Sequence, residues 1–225
     1  LFRSHNFEEI HQKLQLAGIN LSDDSSCCVA TGYGRISVPY ADKAVTEITC
    51  HALGAVHLFQ HPDLTVIDIG GQDTKIIQIE QGFVKDFIMN DKCAAGTGRF
   101  LEVMANTLSL RPNEMFDLAR LGSDTTISSM CTVFAESEVI GLIGKGEPKE
   151  NIAYAVVNST IRKVAAQVSR MNGEMFTFCL TGGLCECDYI REALSKELGK
   201  DVFSCPDARY AGAIGAAISA MKVRR

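Results

Sequence analysis

Two cysteines in this sequence stand where a thiolate can do chemistry. Cys93 lies in the stretch Asn-Asp-Lys-Cys-Ala-Ala-Gly-Thr-Gly-Arg-Phe-Leu (Asn90 to Leu101), at the end of a strand-like run and directly before a glycine-rich turn that opens an amphipathic helix. Cys131 lies in Ser-Ser-Met-Cys-Thr-Val-Phe-Ala-Glu-Ser-Glu-Val, again just ahead of a helix. A thiolate at a helix N-terminus is stabilised by the unsatisfied amides and the helix dipole, and so is an anionic cluster bound through it. Neither cysteine has a Cys-x-x-Cys partner or a neighbouring His, which argues against a zinc or ferredoxin site within one chain. A 4Fe-4S cluster takes four thiolates, and two cysteines per chain supply them if a twofold axis runs through the cluster. The other reading is two unrelated core cysteines.

A second set of residues suits phosphate chemistry. Val66-Ile67-Asp68-Ile69-Gly70-Gly71-Gln72-Asp73-Thr74-Lys75 joins two strands through a tight turn. Its glycines let backbone amides approach a phosphate, and the carboxylates of Asp68 and Asp73 can hold a Mg ion or orient a water. An ordinary glycine-rich hairpin with an exposed Asp accounts for the same letters. Leu180-Thr181-Gly182-Gly183-Leu184 follows a strand and precedes a helix, where open α/β sheets bind ligands. Ala211 to Ala217 is a helix of small residues, read first as a close helix contact. No Gly-Lys-Ser/Thr follows a glycine turn, and the dinucleotide fingerprint is absent.

These groups are carried by elements legible from periodicity. A helix is expected over Phe7 to Ala17, a short buried strand over Cys27 to Ala30, a glycine turn at Thr31 to Arg35, and a second helix over Ala41 to Leu53 with Gly54 beyond its end. Leu64 to Ile69, Thr74 to Ile79 and Phe83 to Met89 read as one antiparallel strand unit, turned at Gln81-Gly82. Helices follow over Gly98 to Leu108, Pro112 to Leu121, Val133 to Ile143 and Lys149 to Met171. The chain closes with strand Met175 to Leu180, helix Asp188 to Leu198, strand Asp201 to Ser204 and helix Ala208 to Met221. This alternation predicts a layered α/β architecture.

The 225 residues suffice for one large α/β domain or two modest lobes. With 22 basic and 27 acidic residues and no basic block, nucleic acid is excluded as a partner class. No uncharged apolar run approaches the roughly 20 residues of a membrane span, and the N-terminus lacks a signal-peptide layout, so the chain reads as cytoplasmic. Nine cysteines in such a chain are expected to be mostly small buried hydrophobes, with Cys185 and Cys187 incidental. The five histidines, at 5, 11, 51, 57 and 61, read as solvated or packing residues, and Arg224-Arg225 as a solvated tail.

The ordered glycine turns resemble the second phosphate loop, the adenosine loop and the closing helix of the actin, sugar kinase and Hsp70 superfamily. The two cysteine stretches, together with Ala30-Thr31-Gly32-Tyr33-Gly34-Arg35 and Asp68 to Asp73, are similar to the motifs of the activators of 2-hydroxyacyl-CoA dehydratases and of the ATP-binding subunits of benzoyl-CoA reductases. The similarity runs from about Cys27 to Ala220, in order and at family spacing.

The resemblance implies an actin-like, ribonuclease H-like α/β fold of two lobes, with residues 1–95 forming the first and 96–225 a helix-rich second lobe whose last helix returns towards the first. It implies a homodimeric ATPase with one 4Fe-4S cluster per dimer, ligated by Cys93 and Cys131 of each chain. Gly70, Gly71, Gln72 and Asp73 approach the phosphates of ATP or ADP, Gly182 and Gly183 border the adenosine, and Asp68, Gln72 and Asp73 serve Mg and hydrolysis. The implied partners are a second copy, a dehydratase or reductase that receives the electron, and a donor such as ferredoxin or flavodoxin. Family members begin with a strand-turn-strand of the form Asp-x-Gly-Ser-x-x-x-Lys; this sequence lacks it, so strands of the first lobe are expected to be missing and a sheet edge exposed. A nucleotide-impaired cluster scaffold and a small-molecule kinase of the same superfamily are the competing expectations.

Overall fold

The computed structural model describes residues 4–21, 23, 26–128, 131–171 and 176–223. The Arg224-Arg225 tail, the side chain of His5, and Met175, the expected first residue of a strand, lie outside the described residues. The N-terminal helix α1 (Ser4–Leu16) leads to a two-residue parallel pair, β1 (Val29–Ala30) with β2 (Lys43–Ala44). Helix α2 (Glu47–Phe59) follows, then strands β3 (Leu64–Ile69), β4 (Thr74–Glu80) and β5 (Phe83–Asn90). Helices α3 (Gly98–Thr107), α4 (Pro112–Ala119), α5 (Thr132–Gly144) and α6 (Lys149–Val168) precede β6 (Thr177–Gly182), α7 (Asp188–Leu198), β7 (Val202–Phe203) and α8 (Ala211–Val223).

Five strands make one mixed sheet in the order β5-β4-β3-β6-β7. The β3–β4 and β4–β5 pairs are antiparallel, with an irregularity at Gln78/Ile79, whereas β6 runs parallel to both β3 and β7. The expected lobe boundary at residues 95/96 falls between β5 and α3, and strands from both sides of it share this sheet. Strand β3 is buried at every residue, as a central strand covered on both faces must be. On one face Ile67, Ile69 and Ile76 join the α3, α4, α6 and α7 side chains in the larger core; on the other, Leu64, Val66, Ile77 and Ile79 pack with Ala52 and Ala55 of α2.

The second helix departs most from expectation. It begins at Glu47, capped by Thr46, whose hydroxyl accepts the Thr49 amide at 3.3 Å, and it runs through Gly54. Gly54 is internal because α8 crosses there: a Cβ on Gly54 would overlap the Ala211 carbonyl, and one on Gly215 the Cys50 carbonyl. The small residues of the last helix therefore serve close helix packing, a contact that overrides the poor helix propensity of glycine. The buried strand expected at Cys27 shrinks to Val29–Ala30. Of the nine cysteines only Cys50, Cys179 and Cys185 are buried; Cys93 and Cys131 are exposed. Among the described residues no helix is long and apolar enough to cross a membrane.

Candidate functional site

The antiparallel β3–β4 pair places Asp68 opposite Lys75 and holds the Gly70-Gly71-Gln72-Asp73 turn at the sheet's end. Parallel pairing of β3 with β6 brings Gly182 beside Ile69. Gly182 has φ +81°, and a Cβ there would lie 2.5 Å from the Ile69 carbonyl oxygen and 2.8 Å from Asp68 Oδ1, so glycine alone lets the two loops close on each other. The Gly183 amide donates to the Ile69 carbonyl at 3.1 Å. The two glycine pairs, Gly70-Gly71 and Gly182-Gly183, 112 residues apart in the sequence, thus form one rim.

Two cavities open on this rim. One, of about 640 Å³, is lined by Gly70, Gly71, Gln72, Asp73 and Gly182 together with Tyr33 and Arg209. The other, of about 460 Å³, begins at Gly183 and is walled by α4 and α7 through Asn113, Phe116, Arg120 and Tyr189. The Arg120 guanidinium lies 5.2 Å from the Tyr189 ring centre and 2.9 Å from Glu192. Each cavity is large enough for one part of a nucleotide, the first rimmed by backbone amides of a glycine turn, the second by flat and aromatic surfaces.

At the floor of the first cavity lies a buried ionic cluster. Lys75, 1 % exposed, puts its ammonium 2.6 Å from Asp73 Oδ1, 3.1 Å from Glu47 Oε1 and 3.3 Å from Asp68 Oδ2. His51 Nε2 is 3.2 Å from Asp68 Oδ1, its Nδ1 is 3.1 Å from the Glu47 carbonyl, and the Thr181 hydroxyl donates to Asp68 Oδ1 at 2.9 Å. Burial works against the charges of His51, Asp68 and Lys75, and their partners outweigh it. Burial alone would lower the His51 pKa, but the hydrogen bond and charge of Asp68 raise it above its ordinary value. Burial would raise Asp68, yet His51, then Lys75 and Thr181, hold its carboxyl far below the usual range. Lys75 is likewise held protonated, burial being overcome by the charges of Asp68, Asp73 and Glu47.

Asp68 and Asp73, the carboxylates expected to hold a Mg ion or orient a water, lie within this cluster. Both oxygens of Asp68 and one of Asp73 already meet protein donors. The donor set still suits a hard divalent ion, because Glu47, His51 and Asp68 bring ligand atoms within 4.8 Å of one another. Sequence reading missed Lys75, His51 and Glu47. Two signals were available: a lysine inside an apolar strand, and a Glu–His pair four apart on the helix face that also carries Ala52 and Ala55.

The cysteine segments connect directly to this turn. The first amides of α3 do not face a thiolate: Gly98 donates to the Gly70 carbonyl at 2.9 Å and Arg99 to the Gly71 carbonyl at 2.8 Å, so two of the orphan donors of the helix start are spent on the glycine turn. Cys93 lies five residues earlier in a loop pinned by Asn90, whose amide group donates to the carbonyls of Cys93 at 3.0 Å and Ala95 at 2.9 Å. The Thr74 hydroxyl donates to the Gly96 carbonyl at 2.6 Å. Of the two cysteines only Cys131 sits at a helix start, as the N-cap residue of α5. Glu136, whose role was open, accepts a hydrogen bond from the Thr107 hydroxyl of α3 at 3.2 Å, tying α5 to α3. As for an iron–sulfur cluster, Cys93 and Cys131 offer two accessible thiols per chain, half of a four-thiolate set, which fits a cluster completed by a second chain.

Comparison with known proteins agrees with this architecture. The (R)-2-hydroxyglutaryl-CoA dehydratase activating ATPase of Acidaminococcus fermentans is 46 % identical over 205 residues, covering 89 % of this chain and 77 % of the relative. The crystal structure of component A of the (R)-2-hydroxyglutaryl-CoA dehydratase from A. fermentans superposes with a TM-score of 0.87 at 42 % identity, covering 96 % of this chain and 83 % of the other. The activator of 2-hydroxyisocaproyl-CoA dehydratase from Clostridium difficile, solved with bound ADPNP, gives a TM-score of 0.85 at 35 % identity over 96 % of this chain and 80 % of that one. A model of the BadF/BadG/BcrA/BcrD ATPase family matches residues 4–220, and the chain belongs to that family.

Proposed function

We propose that this protein is an ATP-dependent activator that delivers a low-potential electron to a 2-hydroxyacyl-CoA dehydratase or a similar reductase. The nucleotide's phosphates lie along Gly70, Gly71, Gln72 and Asp73, its adenosine borders Gly182 and Gly183 and fills the cavity walled by Arg120 and Tyr189. Asp68 and Asp73 position Mg and, with Gln72, the attacking water. Cys93 and Cys131 of two copies hold one 4Fe-4S cluster, which when bound supplies one-electron transfer. One electron enters from a reduced ferredoxin or flavodoxin and one leaves to the partner enzyme.

The observation that carries this reading is the pair of hydrogen bonds from Gly98 and Arg99 to Gly70 and Gly71. A change at the phosphate turn is passed to the start of α3 and to the loop holding Cys93, and Thr107 hands it to α5, whose N-cap is Cys131. A nucleotide biases a second site through contacts that differ between its two states, and these hydrogen bonds are where such a difference would be transmitted. The buried Lys75 cluster weighs against a mere cluster scaffold, since buried charges are costly and a scaffold has no use for them at a glycine turn.

Anaerobic reconstitution followed by calorimetric titration with ADPNP and Mg tests it. One cluster per dimer, saturable nucleotide binding, and a cluster spectrum that changes on adding nucleotide are expected. Full cluster content with no nucleotide binding would leave only the scaffold, and phosphoryl transfer to a small molecule by the iron-free protein would leave the kinase.

A further inference from the structure

The cavity floor contains a cation to which the proposed reaction gives no part. An ammonium group has three N–H donors, and Lys75 meets three carboxylates with them, one from α2, one from β3 and one from the turn. Two of these carboxylates, Glu47 and Asp68, are also the ones that with the His51 imidazole bring ligand atoms within 4.8 Å of one another, as a hard divalent ion would need. Lys75 cannot swing aside as a surface lysine does, because it stands on a strand buried along nearly its whole length, directly across from Asp68.

We infer that Lys75 keeps a bare divalent cation out of the Glu47–His51–Asp68 cluster, so that metal enters the cavity only when accompanied by phosphate oxygens. A divalent ion and an ammonium repel twice as strongly as two unit charges at the same distance, so one set of carboxylates does not hold both. Phosphates over the Gly70-Gly71 turn supply the ligands that Lys75 withholds and bring negative charge that offsets the repulsion. The device prevents idle metal binding at a site whose metal must arrive with nucleotide and leave with it. Lys75 is in this sense a specificity-determining residue that acts through the metal's surroundings. The inference rests on the nucleotide reading of the cavity.

Electron paramagnetic resonance of free Mn²⁺, titrated without nucleotide into the wild-type chain, Lys75→Met and Lys75→Arg, tests it. Wild type and Lys75→Arg are expected to show no saturable site below millimolar Mn²⁺. Lys75→Met is expected to gain one site per chain at least about tenfold tighter, and adding Asp68→Asn to it should abolish that site. A wild-type chain that saturates with micromolar Mn²⁺ alone overturns the inference, and so does a folded Lys75→Met chain that gains no site. Should circular dichroism show Lys75→Met unfolded, the wild-type titration decides by itself: a saturable site overturns, none supports. Failure of the nucleotide reading appears separately, as absence of ADPNP binding in calorimetry, and leaves the comparison of Mn²⁺ alone intact.

Discussion

The amide of Gly98, first residue of α3, donates to the carbonyl of Gly70 at 2.9 Å, so the helix behind the Cys93 loop is fastened to the proposed phosphate turn. A Cβ on Gly98 would lie 3.3 Å from both the Gly70 oxygen and the Gly71 Cα, tight enough to push the turn by a few tenths of an ångström. Gly98→Val is expected to weaken ADPNP binding by about tenfold, roughly 1.4 kcal/mol, while the thermal midpoint falls by only a few degrees. Calorimetry beside thermal melting checks this, and an unchanged affinity in a folded variant would break the proposed link.

Exposure separates the two proposed ligand cysteines from the packing ones. Cys93→Ser and Cys131→Ser change solvent-facing thiols and should alter stability by no more than about 0.5 kcal/mol, yet either should abolish iron and sulfide uptake on anaerobic reconstitution. Cys179 is the contrast. Its thiol is fully buried in the sheet, and burial, helped by Cys205, pushes its pKa up to about 12. Cys179→Ser puts a hydroxyl in that apolar site, costing about 1 to 3 kcal/mol, and should leave the iron content unchanged.

The His51–Asp68 pair makes stability depend on pH with a definite sign. The folded pKa of His51 is raised above 6.5, so its contribution is complete below 6.5 and is lost as the pH rises through the folded value. That of Asp68 is lowered below 3.8, so its contribution is present above 3.8 and is lost as the pH falls through its folded value. The pair therefore stabilises most between 3.8 and 6.5. The difference in thermal midpoint between wild type and His51→Asn should be largest there and shrink towards alkaline pH. In Asp68→Asn the imidazole, followed by NMR, should titrate below 6.5, because burial and the Lys75 charge are then opposed only by the smaller effect of the Glu47 carbonyl hydrogen bond.

Glycine positions give a graded stability test. Gly182→Ala meets both a positive φ and the Ile69 carbonyl, and Gly215→Ala drives α8 off the Cys50 carbonyl of α2. Each should cost about 2 to 4 kcal/mol by chemical denaturation. A Cβ on Gly183 meets nothing within 4 Å, and Gly183→Ala should stay within about 1 kcal/mol of wild type. Equal losses at 182 and 183 would contradict the close approach of the two loops.

By itself the sequence determined the elements whose signal is local. Strands 64–69, 74–79 and 83–89, the last two one residue longer in the structure, helix Asp188–Leu198, the two glycine turns and the cysteine stretches follow from periodicity, turn residues and motif, because each is set by a residue's near neighbours along the chain. Tertiary structure alone decided where distant segments meet. Helix α2 runs through Gly54 because α8, some 160 residues later, packs against it there. Asp68 and Thr181 touch across 113 residues because β6 pairs with β3 in one particular register. Lys75, His51 and Glu47 look like ordinary residues of a strand and a helix, and become an ionic cluster only when α2 lies across the β3–β4 ladder. Cys93 is singled out by the motif, but it stands in a loop ahead of α3, whose first amides donate to the Gly70-Gly71 turn. Local pattern selects the element, and only long-range packing selects the neighbours whose charges and hydrogen bonds make its side chains functional.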